Sequence, residues 1–521
     1  GELLRGDLTF GLKALTGLRR IPFSIAQLHD DKSGKREARN PRMTINSVQD
    51  GDGRELTWVK TGAVSGLLML PRAVSPGDPV TVRLQFENRD SIIKLSGSYS
   101  YVDREGWLPL VRYGDMIPRF DLTLMVPARY TPLCVGRKVS ETKQGDVSVT
   151  RWVAENPVVF PTAIYGIYMT DASEVKASKK DGEPIPVTVH FDKENAGLIA
   201  PKARRAAADQ AANALNLYRD LFGVDYPYSK LDLVNAPEGL SGQSPSSIVY
   251  LGNASFLSQG VLGTEGGGKA TRFADSLVAH EVAHQWWGSL IAPANSGNYW
   301  WVESLAEYSS ALFLEAAHGK PAYQALVNDW RQAAIDSESW DTVQDGEGIY
   351  DKGAFVFHMM RATFGDEAFF RFLRKFAVDM KGREIVTHDI QTVAEEAFGT
   401  GAGGMDWFFD QWVRGAGLPE FTFTYRIAAA EGGAQVLEGR VDQRIMVTTK
   451  APARETLPGV TFKALGAVTL TGKSGQEYTK RIALEGPSTS FTVPLPEKPK
   501  SIVFNKHGEI LAYDIIVKEK K

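Results

Sequence analysis

One cysteine, Cys134, in 521 residues leaves no internal disulfide to form and no thiolate cluster to hold a metal. It does not fix a redox compartment, because a chain without disulfides works on either side of a membrane. A basic excess is also missing: 59 Lys and Arg stand against 62 Asp and Glu, for a net charge of −3. No nucleic-acid partner is expected, since no surplus cations are available to displace counterions from phosphates. No apolar run approaches the ~18 residues that span a bilayer, so no membrane segment is expected within the chain. Internal repeats and low-complexity segments are absent too. The first residue is Gly1 rather than Met, which fits a removed leader and tilts the expected compartment toward periplasm or secretion. Oligomeric state stays open.

What is present is ordinary globular composition, with 43% hydrophobic and 23% charged residues, at a length beyond one hydrophobic core. The expected fold class is multidomain α+β. Residues 1–195 read as strands such as Leu8–Leu18, Leu56–Leu70, Val80–Glu87, Phe120–Val126, Val147–Val153, Ala163–Met169 and Val187–Phe191. They are punctuated by turn residues such as Gln49-Asp50-Gly51-Asp52-Gly53, the pattern of an N-terminal β-sandwich domain. Near residue 196 the period changes: Ala200–Phe222 carries Ala and Leu at helical spacing and stops at Gly223. Residues 196–419 read as a mainly helical domain with a small sheet, its later helices at Leu305–His318, Ala322–Ile335, Gly353–Phe364, Glu367–Met380, Asp389–Phe398 and Met405–Arg414. Residues 420–521 return to strands, a small C-terminal β-sandwich.

The decisive pattern is His280-Glu281-Val282-Ala283-His284, with Glu303 beyond it. Histidines four apart on a helix lie about 40° from each other around its axis, so both imidazoles face one way. Zinc accepts imidazole nitrogens and carboxylate oxygens in a tetrahedron, and a catalytic site keeps one position open. His280, His284 and Glu303 are therefore the expected ligands of one zinc ion. Glu281, one residue past the first ligand, cannot share its direction and is placed to act on water as general base. Glu307, one helical turn past Glu303, is expected to orient a ligating histidine. Tyr350 opens an apolar helix, and its hydroxyl near a metal could donate to an oxyanion. The bland alternative is a helix whose histidines are merely hydrogen-bonded beside two solvated carboxylates. It requires every one of these coincidences to be accidental.

Other features carry less. Gly263-Thr264-Glu265-Gly266-Gly267-Gly268-Lys269-Ala270 nearly matches a phosphate loop but ends in Ala, without the magnesium-binding hydroxyl, and reads as a loop before the metal helix. His29, His190, His318, His358, His388 and His507 have no ligand spacing. Trp286 and Trp287 are expected in the core or a pocket wall.

His280-Glu281-Val282-Ala283-His284-Gln285-Trp286-Trp287-Gly288, Val302-Glu303-Ser304-Leu305-Ala306-Glu307-Tyr308 and Tyr350 before Lys352-Gly353-Ala354 together resemble the gluzincin aminopeptidases, the group of alanyl and leucyl aminopeptidases and leukotriene hydrolase. Phe409-Asp410-Gln411-Trp412, with Pro419 after it, resembles the end of that family's catalytic domain. The resemblance implies a thermolysin-like catalytic domain between two β-sandwiches, with zinc on His280, His284 and Glu303. It further implies Glu281 as base and Tyr350 as oxyanion donor, acting on a peptide. Two departures stand out. The family's Gly-x-Met-Glu-Asn, whose glutamate grips the substrate amine, corresponds here to Gly242-Gln243-Ser244-Pro245-Ser246, with no carboxylate. The acidic, proline-flanked segment of its first domain is replaced by Gly106-Trp107-Leu108-Pro109 to Asp115. Gly242, Gln243 and Ser244 are taken as the substrate-binding stretch, and an amine-binding anion either comes from elsewhere, with Glu238 a candidate, or is missing. The expected function is a zinc metallopeptidase of aminopeptidase type. Its rivals are an oligopeptidase or endopeptidase indifferent to a free N-terminus, and a catalytically silent binding scaffold.

Overall fold

The structure, a computed structural model, describes residues 3–520 except 26, 31–35, 40–42, 63, 90, 103–106, 112–115, 118, 155, 237–241, 254, 257–268, 338–339, 341, 344–346, 430–434, 451–452 and 496. At 27–30, 36–39, 269–275, 347 and 449–450 only the backbone is described. Two compact units emerge: Gly1–Asn213 with Tyr226–Gly267, and Ala214–Asp225 with Gly268–Lys521.

The first unit is rich in strands. Pro79–Asn88 lies between Leu4–Lys13 and Thr44–Asp50, antiparallel to both, and alternates buried with exposed positions along most of its length. That period of two is what a sheet with one wet face requires. Val82, Leu84 and Phe86 join Ile21, Phe23 and Leu68 in one core. A five-stranded mixed sheet is built differently. Val187–Asp192, Leu231–Asn235 and Ile248–Leu251 run parallel at its centre, between the antiparallel edges Tyr168–Ala172 and Gly242–Gln243. Every residue of Leu231–Asn235 and Ile248–Leu251 is buried, as parallel strands covered on both faces must be. Strands on both sides of residue 195 share this sheet. Helix α1, Pro201–Phe222, links the parallel strands Val187–Asp192 and Leu231–Asn235, the long connection that parallel pairing demands. It ends at Gly223, whose φ of 71° is the left-handed conformation usual after a helix.

The second unit holds helices α2 (Lys269–Ala283), α3 (Trp300–His318), α4 (Lys320–Asp336), α5 (Asp351–Phe364), α6 (Asp366–Met380), α7 (Thr387–Phe398) and α8 (Asp406–Trp412). Helix α3 is its axis: from Trp300 to Leu314 only Glu307 is not fully buried. Such all-round burial needs neighbours on every side. Ser304, on α3, passes so close to Gly353 of α5 that an added Cβ would lie 1.9 Å from the serine Oγ. From Leu418 the chain forms two further sheets, one on Leu418–Ala429 and Gln435–Lys450, the other on Ala464–Thr471. They meet through Phe421 and Phe423 against Phe504, at ring separations of 5.6 and 5.7 Å. The same unit ties these strands to the helices: His358 of α5 bonds the Gly508 carbonyl at 3.1 Å, and Trp340 packs on Tyr513. Among the described residues, no helix is long and apolar enough to cross a membrane.

Candidate metal centre

Helix α2 carries His280 and Glu281 in its last turn and ends at Ala283, and His284 sits in the turn that continues it, its N–H reaching the His280 carbonyl at 3.3 Å. The chain must then reverse. Gly288 does this at φ 107°, where a side chain would be strained and a Cβ would meet Val302 at 2.9 Å. The reversal turns the Trp287 carbonyl back onto His284 Nδ1 at 3.0 Å. Both tryptophans are completely buried. Trp286 donates to the Val224 carbonyl, and Trp287 donates to Ser309 Oγ on α3 and stacks on Phe376. They are core, and they fix the end of α2 against α3.

Three donor atoms converge. His280 Nε2 and His284 Nε2 are 3.1 Å apart, and Glu303 Oε2 lies 3.3 and 3.2 Å from them. Two tetrahedral ligands at the bond lengths zinc prefers lie about 3.3–3.4 Å from each other, so the triangle has the right size. The remaining atom of each ligand is committed. His284 Nδ1 faces a carbonyl, which can only accept, so that nitrogen carries the proton and Nε2 is a lone pair. His280 Nδ1 faces Glu307 Oε2 at 3.0 Å, with the same consequence. Glu303 Oε1 accepts from the Tyr299 hydroxyl at 3.0 Å. Three lone-pair donors buried within 3.3 Å of each other repel unless a cation sits among them, so the donor set fits a divalent ion. The surrounding carboxylates favour positive charge at this point, and a proton and a metal ion compete for the same nitrogen. Burial opposes the charged imidazole of His280, yet its bonds to Glu303 and Glu307, with Glu281 nearby, hold its pKa well above the ordinary value. Burial also opposes the Glu303 carboxylate, but the two histidines keep its pKa well below the usual carboxylate range.

Glu281 is buried on α2 between the two histidines. Tyr350 is the residue preceding α5, and its ring lies 6.3 Å from that of His280, the planes 26° apart. It is 46% exposed, unlike the buried ligand side chains. Gly242 and Gln243 form the short edge strand of the five-stranded sheet, and Ser244 follows; all three are in the first unit and partly buried. Glu238 and residues 263–268 of the glycine-rich loop lie outside the described residues, as do residues 106 and 112–115 of the first-domain segment. Sequence reasoning missed three supports of the cluster. Tyr299 is one helical turn before Glu303, a spacing that could have suggested it. The Trp287 carbonyl and the Trp330 indole, which donates to Glu307 Oε1 at 2.9 Å, leave no trace in spacing.

Residues 206–412 match the peptidase family M1 domain. Aminopeptidase M1-B of Oryza sativa subsp. japonica is 26% identical over 54% of this chain and 33% of its own length. Aminopeptidase N of Lactococcus lactis subsp. lactis is 28% identical over 41% of this chain and 26% of its own. The chain thus spans about a third or less of the curated relatives it matches. Among solved structures, the M1 zinc metallopeptidase of Deinococcus radiodurans superposes with a TM-score of 0.63 at 21% identity, over 80% of this chain and 90% of that one. Legionella pneumophila aminopeptidase A reaches 0.76 at 14% identity, over 99% of this chain and 57% of that one.

Proposed function

Since this chain belongs to the gluzincin aminopeptidase family, we propose that it is a zinc-dependent metallopeptidase of aminopeptidase type, with a thermolysin-like catalytic region. The observation that carries the reading is the triangle of His280 Nε2, His284 Nε2 and Glu303 Oε2, every side between 3.1 and 3.3 Å. These three side chains would hold the ion, and Glu307 orients His280. Zinc, when bound, supplies Lewis acidity toward water and toward a peptide carbonyl. Glu281 takes the proton of the attacking water and returns it to the leaving amine, the work of a general base turned acid. The Tyr350 hydroxyl donates to the carbonyl oxygen as it gains charge, an interaction stronger in the transition state than before it. By the family resemblance, Gly242, Gln243 and Ser244 are the stretch assigned to substrate binding. Purified protein should cleave unblocked peptides, lose that activity to a chelator and regain it with zinc. A protein loaded with zinc yet inert on a broad peptide library would instead be a binding scaffold.

One observation favours a second reading. Gly242-Gln243-Ser244-Pro245-Ser246 has no carboxylate to grip a free amine, which suits an oligopeptidase or endopeptidase. A peptide and its N-acetylated form separate the two: a clear preference for the free amine supports the aminopeptidase, and equal rates support the rival.

A further inference from the structure

We infer that Trp330 is a positioning residue for the metal centre, acting through Glu307 on His280; the inference rests on the reading of His280 as a zinc ligand. Glu307 has two oxygens and two partners. Oε2 meets His280 Nδ1 at 3.0 Å, and Oε1 accepts the Trp330 indole N–H at 2.9 Å. An indole nitrogen can only donate, so it fixes which oxygen faces which way and holds the carboxylate against rotation. With that rotation fixed, the plane of the His280 ring and the aim of its Nε2 are fixed as well.

The indole is itself held. Trp330 is 2% exposed on α4, and Tyr323, seven residues earlier on the same helix face, meets Tyr308 of α3, hydroxyl to hydroxyl, at 3.0 Å. Consecutive residues of α3, Glu307 and Tyr308, are therefore each bonded by one residue of α4. Two polar contacts set the register of the helices, where apolar packing alone would tolerate sliding. Tyr323 continues to His358 Nδ1 at 2.7 Å on α5, which ties the clamp to a third helix. His284 has no counterpart to this chain of side chains, since its Nδ1 is held by backbone. Of the two histidines, it is His280 whose orientation depends on a side-chain relay that one substitution can cut.

The test measures zinc release into excess chelator from wild type, W330F, E307A and the double variant. Partners that orient metal ligands typically contribute roughly 10–100-fold in affinity, and Trp330 stands one contact further out, so W330F should release zinc about 3–10-fold faster. If Trp330 acts through Glu307, W330F adds nothing in the E307A background. Equal acceleration in both backgrounds, or none in either, overturns the inference. Should W330F fail to fold, benzothienylalanine at position 330 keeps the ring shape, removes only the N–H, and is read in the same way. Wild-type protein that binds no zinc would instead defeat the reading beneath it.

Discussion

The edge strand Arg137–Gln144 of the first unit is exposed at every position, whereas helix α3 of the second is buried almost all round. The polar groups of the two regions behave accordingly. In the first unit, pairs such as Arg151 with Asp121 and Arg5 with Glu87 lie in solvent, where an ion pair contributes at most about 1 kcal/mol. In the second, the polar atoms around His280, His284 and Glu303 are buried and each has a specific partner, because leaving one unmet there costs several times more. Buried polar pairs occur in the first unit too, as at Arg204 with Asp171, but among the described residues only His280, His284 and Glu303 converge as a set that could hold a metal ion. The stretch at Gly242–Ser246 shows the opposite use of polarity. Ser246 Oγ accepts from the Val159 N–H and Ser247 Oγ from the Gly136 N–H, so these side chains secure the fold of their own unit.

The comparison can be broken first at Glu281. Glu281→Gln keeps size and burial but removes the proposed base, so peptide cleavage should fall by about 10²–10⁴ while zinc content stays at one per chain. An active variant would move the chemistry elsewhere. Tyr350→Phe should lower kcat by roughly 10² with little change in KM, if its hydroxyl serves the transition state alone. A rise in KM with kcat intact would make it a binding residue.

A third prediction concerns packing. Gly353→Ala forces a methyl into Ser304, which bonds the Trp300 and Ile349 carbonyls, so it should cost about 1–3 kcal/mol in unfolding free energy. The same change at Gly11, where a Cβ would meet nothing within 4 Å, should leave stability nearly unchanged. The last prediction concerns pH. Burial, with Arg361 nearby, lowers the His358 pKa to about 4 despite its bond to the Gly508 carbonyl. Its folded value lies below the unfolded value of about 6.5, so the unfolded chain binds more protons between the two. This contribution to stability is complete above about pH 6.5 and is lost as pH falls toward 4, by no more than about 1.4 kcal/mol per unit. Melting temperatures of wild type and His358→Gln across that window should converge toward acid pH; parallel curves would remove His358 from the account.

Much of the metal centre was legible because its residues are close in sequence or set by helical period. The spacings of His280 to His284 and of Glu303 to Glu307 follow from 3.6 residues per turn. The helices were legible for the same reason, to within a few residues, and the segment Trp300–Tyr308 around Glu303 already reads as helical where α3 begins. The strands were less so. Arg137–Gln144 gives no alternation because neither of its faces is buried, and Asp514–Glu519, parallel to Leu418–Ala429, carries its apolar residues Ile515-Ile516-Val517 in one short run without alternation. The segments read as Leu8–Leu18 and Leu56–Leu70 are each interrupted: Leu4–Lys13 ends before Leu18–Ser24, and Thr57–Lys60 turns back into Ser65–Val74. Short turns without Gly-Asn or Pro-Gly pairs hide such breaks. Trp330 was invisible, since its meeting with Glu307 exists only once α3 and α4 are packed.

The central claim is that His280, His284 and Glu303 jointly bind one zinc ion. Metal content by mass spectrometry on wild type, His280→Ala, His284→Ala and Glu303→Ala, each dialysed with zinc and then freed of excess, tests it directly. One equivalent in wild type and less than about a tenth in each variant is the expected result. A full equivalent retained by any of the three variants would contradict the account.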